Sequence, residues 1–238
     1  MRMNNIYISG TGLWIPPHGI TNDELMASYN AFVEKFNTEN AKEIAAGSIE
    51  ELSPSSSEFV EKASGIKHRY VIEKDHSLDP NFMRPLIPAR DIDELSLLAE
   101  IGVMAGKDAM KNAGVSPDDI DAVIVSTSNL QRAYPAIAIE IQNEIGIDGY
   151  GYDMMVACSS TTFGISNAMA DIAAGKAGTI LVINPEITTA HNNMKSRESH
   201  FIFGDVCTAS VVQKNSLSNN KFRILDTKLK TVFSNNIR

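Results

Sequence analysis

Asp153-Met154-Met155-Val156-Ala157-Cys158-Ser159-Ser160 is the stretch on which both fold and chemistry turn. Its apolar first part predicts a buried strand over 151–156. The small residues that follow predict a helix over 159–174, apolar on most faces and so expected to be fully buried. Cys158 stands at the turn between them. A helix amino terminus carries partial positive charge and unpaired amide hydrogens. These favour a thiolate and can stabilise an oxyanion when sulfur attacks a thioester. The residues alone leave a second reading open, a small buried hydrophobe that happens to begin a helix.

Working outward, apolar runs at 122–125, 179–183 and 208–212 predict buried strands, and 135–145 predicts a helix. From Asp91 onward, Leu95, Leu98, Ala99, Gly102, Ala105, Ala109 and Ala113 recur at three- and four-residue spacings. That is a small-residue helix face suited to close packing, with Gly114 placed as a left-handed cap. Nearer the start, residues 5–12 read as a strand closed by Gly10 and Gly12, and Thr21-Asn22-Asp23-Glu24 opens a helix to Phe36. Residues 37–57 read as mixed, ending in a serine-rich loop, and 66–72 as strand-like. Residues 73–90, with Pro80, Pro85 and Pro88, read as an irregular insertion, either functional or merely exposed. Strands alternating with helices argue for an α/β fold with parallel pairing at its centre.

The chain has 238 residues, 43% of them hydrophobic and 21% charged, enough to bury a substantial core. A net charge of −8 with no dense basic run disfavours a nucleic-acid binder. Two cysteines, Cys158 and Cys207, with no CxxC or Cys/His cluster, point to neither a disulfide framework nor a metal site. No run of eighteen apolar residues and no apolar signal core occur. The expectation is a cytoplasmic protein without a membrane segment, metal or cofactor.

Five motifs, in order, resemble the 3-oxoacyl-(acyl-carrier-protein) synthase III family of thiolase-fold condensing enzymes. They are Ile8-Ser9-Gly10-Thr11-Gly12 with Pro16, Ser64-Gly65-Ile66-Lys67-His68-Arg69, and Ala133-Tyr134-Pro135 with Ile141-Gln142. Ala157-Cys158-Ser159-Ser160 with Gly164 and Ile202-Phe203-Gly204-Asp205 complete the set. The resemblance implies an α/β thiolase-like fold, five-layered αβαβα when complete. It implies an amino-terminal half over 1–215, carrying the insertion around 73–90, and the first strand of a second half over 216–238. It also implies that Cys158 accepts an acyl group from acyl-coenzyme A, which then condenses with malonyl-acyl-carrier protein. Tyr134 matches a segment that caps the acyl pocket of a partner in a homodimer. Phe203 lies in the loop before the last strand of the first half.

Departures from the family pattern are equally specific. Phe59 stands where the family often has a tryptophan that stacks on the coenzyme A adenine. Ala63 stands where it often has an arginine, with Lys62 the neighbouring charge. The Gly-Asp-Gly of the family loop is Gly204-Asp205-Val206. The family's catalytic histidine and asparagine would fall beyond Arg238, and none of His18, His68, His76, His191 and His200 matches that histidine. His191 and His200 sit in a polar run and read as solvated surface residues, and Cys207 as core. The alternatives carried forward are a non-catalytic half completed by another chain, and a thiolase or hydroxymethylglutaryl-coenzyme A synthase-like enzyme. A cysteine peptidase has no supporting local motif.

Overall fold

The computed structural model describes residues 5–235. In chain order the elements are β1 (Ile6–Trp14), β2 (His18–Thr21), α1 (Asn22–Glu39), α2 (Ala41–Ala45) and α3 (Ser57–Ser64). Next come β3 (His68–Val71), α4 (Asp75–Leu78), α5 (Leu97–Ala113), β4 (Ala122–Thr127) and α6 (Ile137–Ile145). The chain continues with β5 (Tyr150–Met155), α7 (Ser160–Ala173), β6 (Thr179–Ile187), β7 (Asp205–Lys214) and β8 (Phe222–Arg223). These divide into two compact units. The first takes in the chain up to Trp14, Ile92–Glu186 and the chain from Cys207; the second holds Ile15–Asp91 and Ile187–Val206.

The first unit is built on a six-stranded sheet of order β5-β4-β6-β7-β1-β8. β4 pairs in parallel with both β5 and β6, whereas β1 is antiparallel to β7 and β8. Every residue of β4 is buried, as an inner parallel strand covered on both faces should be. One face of the sheet, with Ile124 and Val182, packs on Ala168, Met169 and Ile172 of α7. On the other, Gly106 of α5 lies against Leu181 and Ile183 of β6, with Ile145 of α6 beside it. Helices thus cover this sheet on both sides.

The closest approach within this unit joins β1 to α5. A Cβ on Gly12 would lie 2.0 Å from the Ala105 carbonyl oxygen and 2.4 Å from the Ala109 amide nitrogen. A Cβ on Gly10 would lie 2.4 Å from the Ala113 amide nitrogen. The glycines of the strand and the alanine face of the helix are complementary halves of one backbone-to-backbone contact. Gly114 caps α5 in the left-handed region, as its position predicts.

Three expectations need correction. The strand before Cys158 is not buried: β5 is the sheet's edge strand, and its residues are half-buried or exposed. Helix α7 is not buried all round, because Ser160, Gly164, Ala168, Met169 and Ile172 form a single buried stripe at three- and four-residue spacing. Within 216–235, read as the first strand of a second half, only Phe222 and Arg223 pair as strand, with Ile8 and Tyr7. Phe222, Leu225 and Val232 are largely exposed.

The second unit pairs β2 with β3 and packs Ile20, Leu25, Met26, Val60, Val71 and Phe201 into a core. Thr21 and Glu24 form a capping box at the start of α1, as the sequence predicts. Two further elements appear, α2 within the mixed 37–57 run and α3 starting at the end of its serine-rich loop. Ser56 caps α3, accepting from the Phe59 amide, and Gly65 ends it in the left-handed region. The serine cluster therefore marks a helix start. The 73–90 segment is irregular apart from α4.

His200 is the clearest reversal. It is fully buried, stacked on Tyr29 at 4.5 Å, with Nδ1 facing the Ser196 carbonyl at 2.9 Å. Its Nε2 is buried without a partner. Burial, with the charges of Arg69 and Arg197 in support, lowers its pKa below the ordinary 6.5, against an opposing pull from the Ser196 and Arg197 backbone. The unfolded chain therefore takes up this proton first as pH falls. Stability that is complete above the ordinary histidine pKa is lost as pH drops through about 6.5 and below. Urea midpoints of the intact protein should fall between about pH 7.5 and pH 5. In His200→Phe, which keeps a ring against Tyr29, that slope should flatten. An unchanged slope would assign the acid sensitivity to another group.

Candidate active site

Cys158 sits in a single turn of 3-10 helix, Ala157–Ser159, between β5 and α7. Its side chain is exposed, whereas Cys207 is completely buried in β7. Burial raises the Cys207 thiol pKa well above its ordinary value, aided by the Glu186 carboxylate. The two thiols are thus differentiated by environment: one is open to a reagent, the other is held neutral in the core.

The turn is held from both sides. Ala157 adopts φ +47°, a left-handed conformation that costs a non-glycine residue strain and survives only when its surroundings enforce it. Ser160 supplies that enforcement. Its buried hydroxyl donates to the Thr127 carbonyl at 2.9 Å and accepts from the Val156 amide at 2.8 Å. The turn is thereby tied to the carboxyl end of β4. Gly164, one turn further on, lets α7 lie close to the sheet, since a Cβ there would meet Ser126 Oγ at 2.2 Å and Val182 Cγ1 at 3.0 Å. Cys158 is left at the amino-terminal end of a fourteen-residue helix, where the peptide dipoles favour negative charge.

The same strand organises the segment carrying Tyr134. Helix α6 has no side-chain cap of its own at Ala136. Asp153 of β5 replaces it, accepting from the Ile137 and Ala138 amides at 2.8 Å each. Burial raises the Asp153 pKa, while these two bonds pull it back down. Arg132 makes a two-pronged contact with Glu140, and Glu140 also accepts from the Ser96 amide. Tyr134 projects from this anchored loop with 88% of its surface exposed.

Phe59, Lys62 and Phe203 belong to the second unit. Phe59 lies edge-on to Phe201 at 6.0 Å, and the Arg197 guanidinium stands 4.8 Å over its ring. Arg197 Nε also donates to the Pro54 carbonyl, which fixes the stack. Nothing in the polar run around Arg197 announces this pairing. Lys62 is exposed, as is Phe203 in the loop before β7. The following Asp205 is buried and accepts from the amides of Ile72 and Thr189 and from the Thr189 hydroxyl. Burial raises its pKa. Asp205 is a structural tie, whereas its sequence context shows only part of a loop motif. His191 is exposed, as expected.

A mixed sheet with helices on both faces, and a cysteine turn after a parallel strand, define the thiolase-type α/β class. Residues 152–232 match the family described as 3-oxoacyl-[acyl-carrier-protein (ACP)] synthase III. The chain is 55% identical over 215 residues to the beta-ketodecanoyl-[acyl-carrier-protein] synthase of Pseudomonas aeruginosa, covering 90% of this chain and 61% of that protein. It is 27% identical over 229 residues to a beta-ketoacyl-[acyl-carrier-protein] synthase III of Granulibacter bethesdensis, covering 95% and 58%. In fold it is similar to 3-oxoacyl-[acyl-carrier-protein] synthase III from Aquifex aeolicus, with a TM-score of 0.66 at 23% identity, covering 88% and 54%. The chain is similar to members of the 3-oxoacyl-[acyl-carrier-protein] synthase III family. It spans less than two thirds of the length of the curated relatives it matches.

Proposed function

We propose that the chain carries the acyl-accepting site of a 3-oxoacyl-(acyl-carrier-protein) synthase III, with Cys158 as nucleophile. The exposed Cys158, in a strained turn at the start of α7, carries this reading. Its thiolate attacks the carbonyl carbon of an acyl-coenzyme A thioester. The tetrahedral oxyanion collapses, the carbon–sulfur bond to coenzyme A breaks, and the departing thiolate takes a proton from solvent. In the complete reaction, malonyl-acyl-carrier protein loses carbon dioxide. The resulting enolate attacks the acyl-cysteine, releasing 3-oxoacyl product and regenerating the thiolate.

Similarity to a beta-ketodecanoyl synthase supports a medium-length donor. Condensation lengthens the donor by the two carbons that malonyl retains, so a ten-carbon product requires octanoyl. Exposure of Tyr134 on a loop pinned by Arg132 and Glu140 supports a homodimer in which this aromatic is covered. Two free cysteines support a reducing, cytoplasmic setting.

The test is peptide-level mass spectrometry after brief exposure to octanoyl- or acetyl-coenzyme A. The expected result is an acyl adduct on Cys158, formed faster from the octanoyl donor. An adduct confined to Cys207, or none from either donor, would overturn the assignment.

A further inference from the structure

The second unit contains a polar hollow of about 490 Å³. Asn81, Phe82 and Arg84 form one wall, and Asn192, Asn193 and Lys195 the other. The walls are locked together beneath it, where Met83 and Met194 share a buried cluster with Tyr29 and Val33. Met83 achieves this with φ +50°, turning its side chain inward between the exposed Phe82 and Arg84.

The electrostatics of the hollow are one-sided. Arg84 has no hydrogen-bond or ion-pair partner among the described residues. The Lys195 ammonium reaches only the Asn81 carbonyl at 3.4 Å and stands 5.2 Å over the Phe32 ring. The Asn192 Nδ2 donor is buried with nothing to bond to. None of the lining residues is acidic. Asp79, nearby in sequence, accepts from the Asn81 amide and side chain at 2.8 Å each. Lys35 in turn donates to Asn81 Oδ1. Asn81 is thus a scaffold whose own bonding is complete, whereas the cations and the Asn192 amide are left with donors to spare.

We propose that this hollow binds the phosphate group of a phosphorylated small molecule, held by Arg84, Lys195 and the Asn192 amide. Two cations from opposite walls suit a dianion with several acceptor oxygens, and a buried amide donor without a partner is costly until an acceptor arrives. A single carboxylate would satisfy only part of this donor set. The volume far exceeds the roughly 30 Å³ share of one water, so an organic body attached to the phosphate fits beside Phe82. The proposal does not rest on the acyl-transfer reading, since it requires neither Cys158 nor a thioester.

Isothermal titration calorimetry on the intact protein tests it, with inorganic phosphate and adenosine 3′,5′-bisphosphate as probes and sodium acetate as the competing anion. Saturable phosphate binding is expected. It should weaken about tenfold in Arg84→Ala, the order expected for one charge-assisted contact, and vanish when Lys195→Ala is added. Lys221→Ala, which removes an ammonium over Tyr7 in the first unit, should change nothing. Equal affinity for both probes would support a site for phosphate itself; tighter bisphosphate binding would support a phosphate ester. Failure of both to bind at millimolar concentration, undiminished binding by the double variant, or acetate binding as tightly as phosphate would each overturn the proposal. Arg84 is exposed and partnerless, so its loss should leave the fold intact.

Discussion

Cys158→Ala is expected to lower acyl transfer by at least about a thousandfold while leaving the melting temperature unchanged. Both halves follow from position. The side chain is exposed, and the turn is held instead by the Ser160 hydroxyl and the Thr127 carbonyl, so truncation removes no supporting contact. Chemistry loses the one exposed thiol among the described residues, and no neighbouring group replaces a thiolate as acyl carrier. Cys207→Ala provides the contrast. It hollows the core at a fully buried position and should cost stability, but transfer measured on the folded fraction should persist. Transfer that survives in Cys158→Ala and disappears in Cys207→Ala would reverse the roles given to the two thiols.

Gly12→Ala should be among the most destabilising single substitutions in the chain. The added carbon would lie 2.0 Å from a backbone oxygen of α5, and backbone cannot rotate aside as a side chain can. The strand and helix must separate, opening a seam that also runs past Gly10. Overpacking of flexible side chains costs about 1–3 kcal/mol, and a rigid backbone clash belongs at or beyond the upper end of that range. Chemical denaturation should show a loss of at least about 3 kcal/mol, or no folded protein at all. A loss below about 1 kcal/mol would mean that α5 is not seated on β1 as described.

What could be read in advance, and what could not, follows physical lines. The Gly10-Gly12 strand end and the Ala105-Ala109-Ala113 face were each legible, because size and spacing carry their message locally. So were the Thr21 capping box and the Gly114 cap, which depend on a few consecutive residues. Burial was legible only in part. The sequence of β5 is apolar enough for an inner strand, but its place at the sheet edge is a property of the other strands. His200 shows the same limit. A histidine among polar residues reads as solvated unless one knows that Tyr29 lies against its face. The site divides in the same way. Cys158 is marked by its turn, with a small buried hydrophobe as the other reading, whereas Ser160, Asp153 and Arg197 reach Thr127, Ile137 and Phe59, which lie 33, 16 and 138 residues away in the chain.

The pairing of β1 with β7 has a consequence in time. Ile6 lies opposite Lys214, and Trp14 opposite Cys207. On a ribosome adding about 5–20 residues each second, roughly ten to forty seconds pass between synthesis of the first strand and synthesis of its partner. Helix α5 emerges well before β7 and covers the glycine face of β1, and its Asp108 and Asn112 bond the Leu13 amide and the Thr11 carbonyl, but the ladder to β7 waits for that strand. β1 is therefore among the last of the described strands to be paired. During that interval it is a template for any passing strand, and the yield of folded chains depends on what shields it while translation continues.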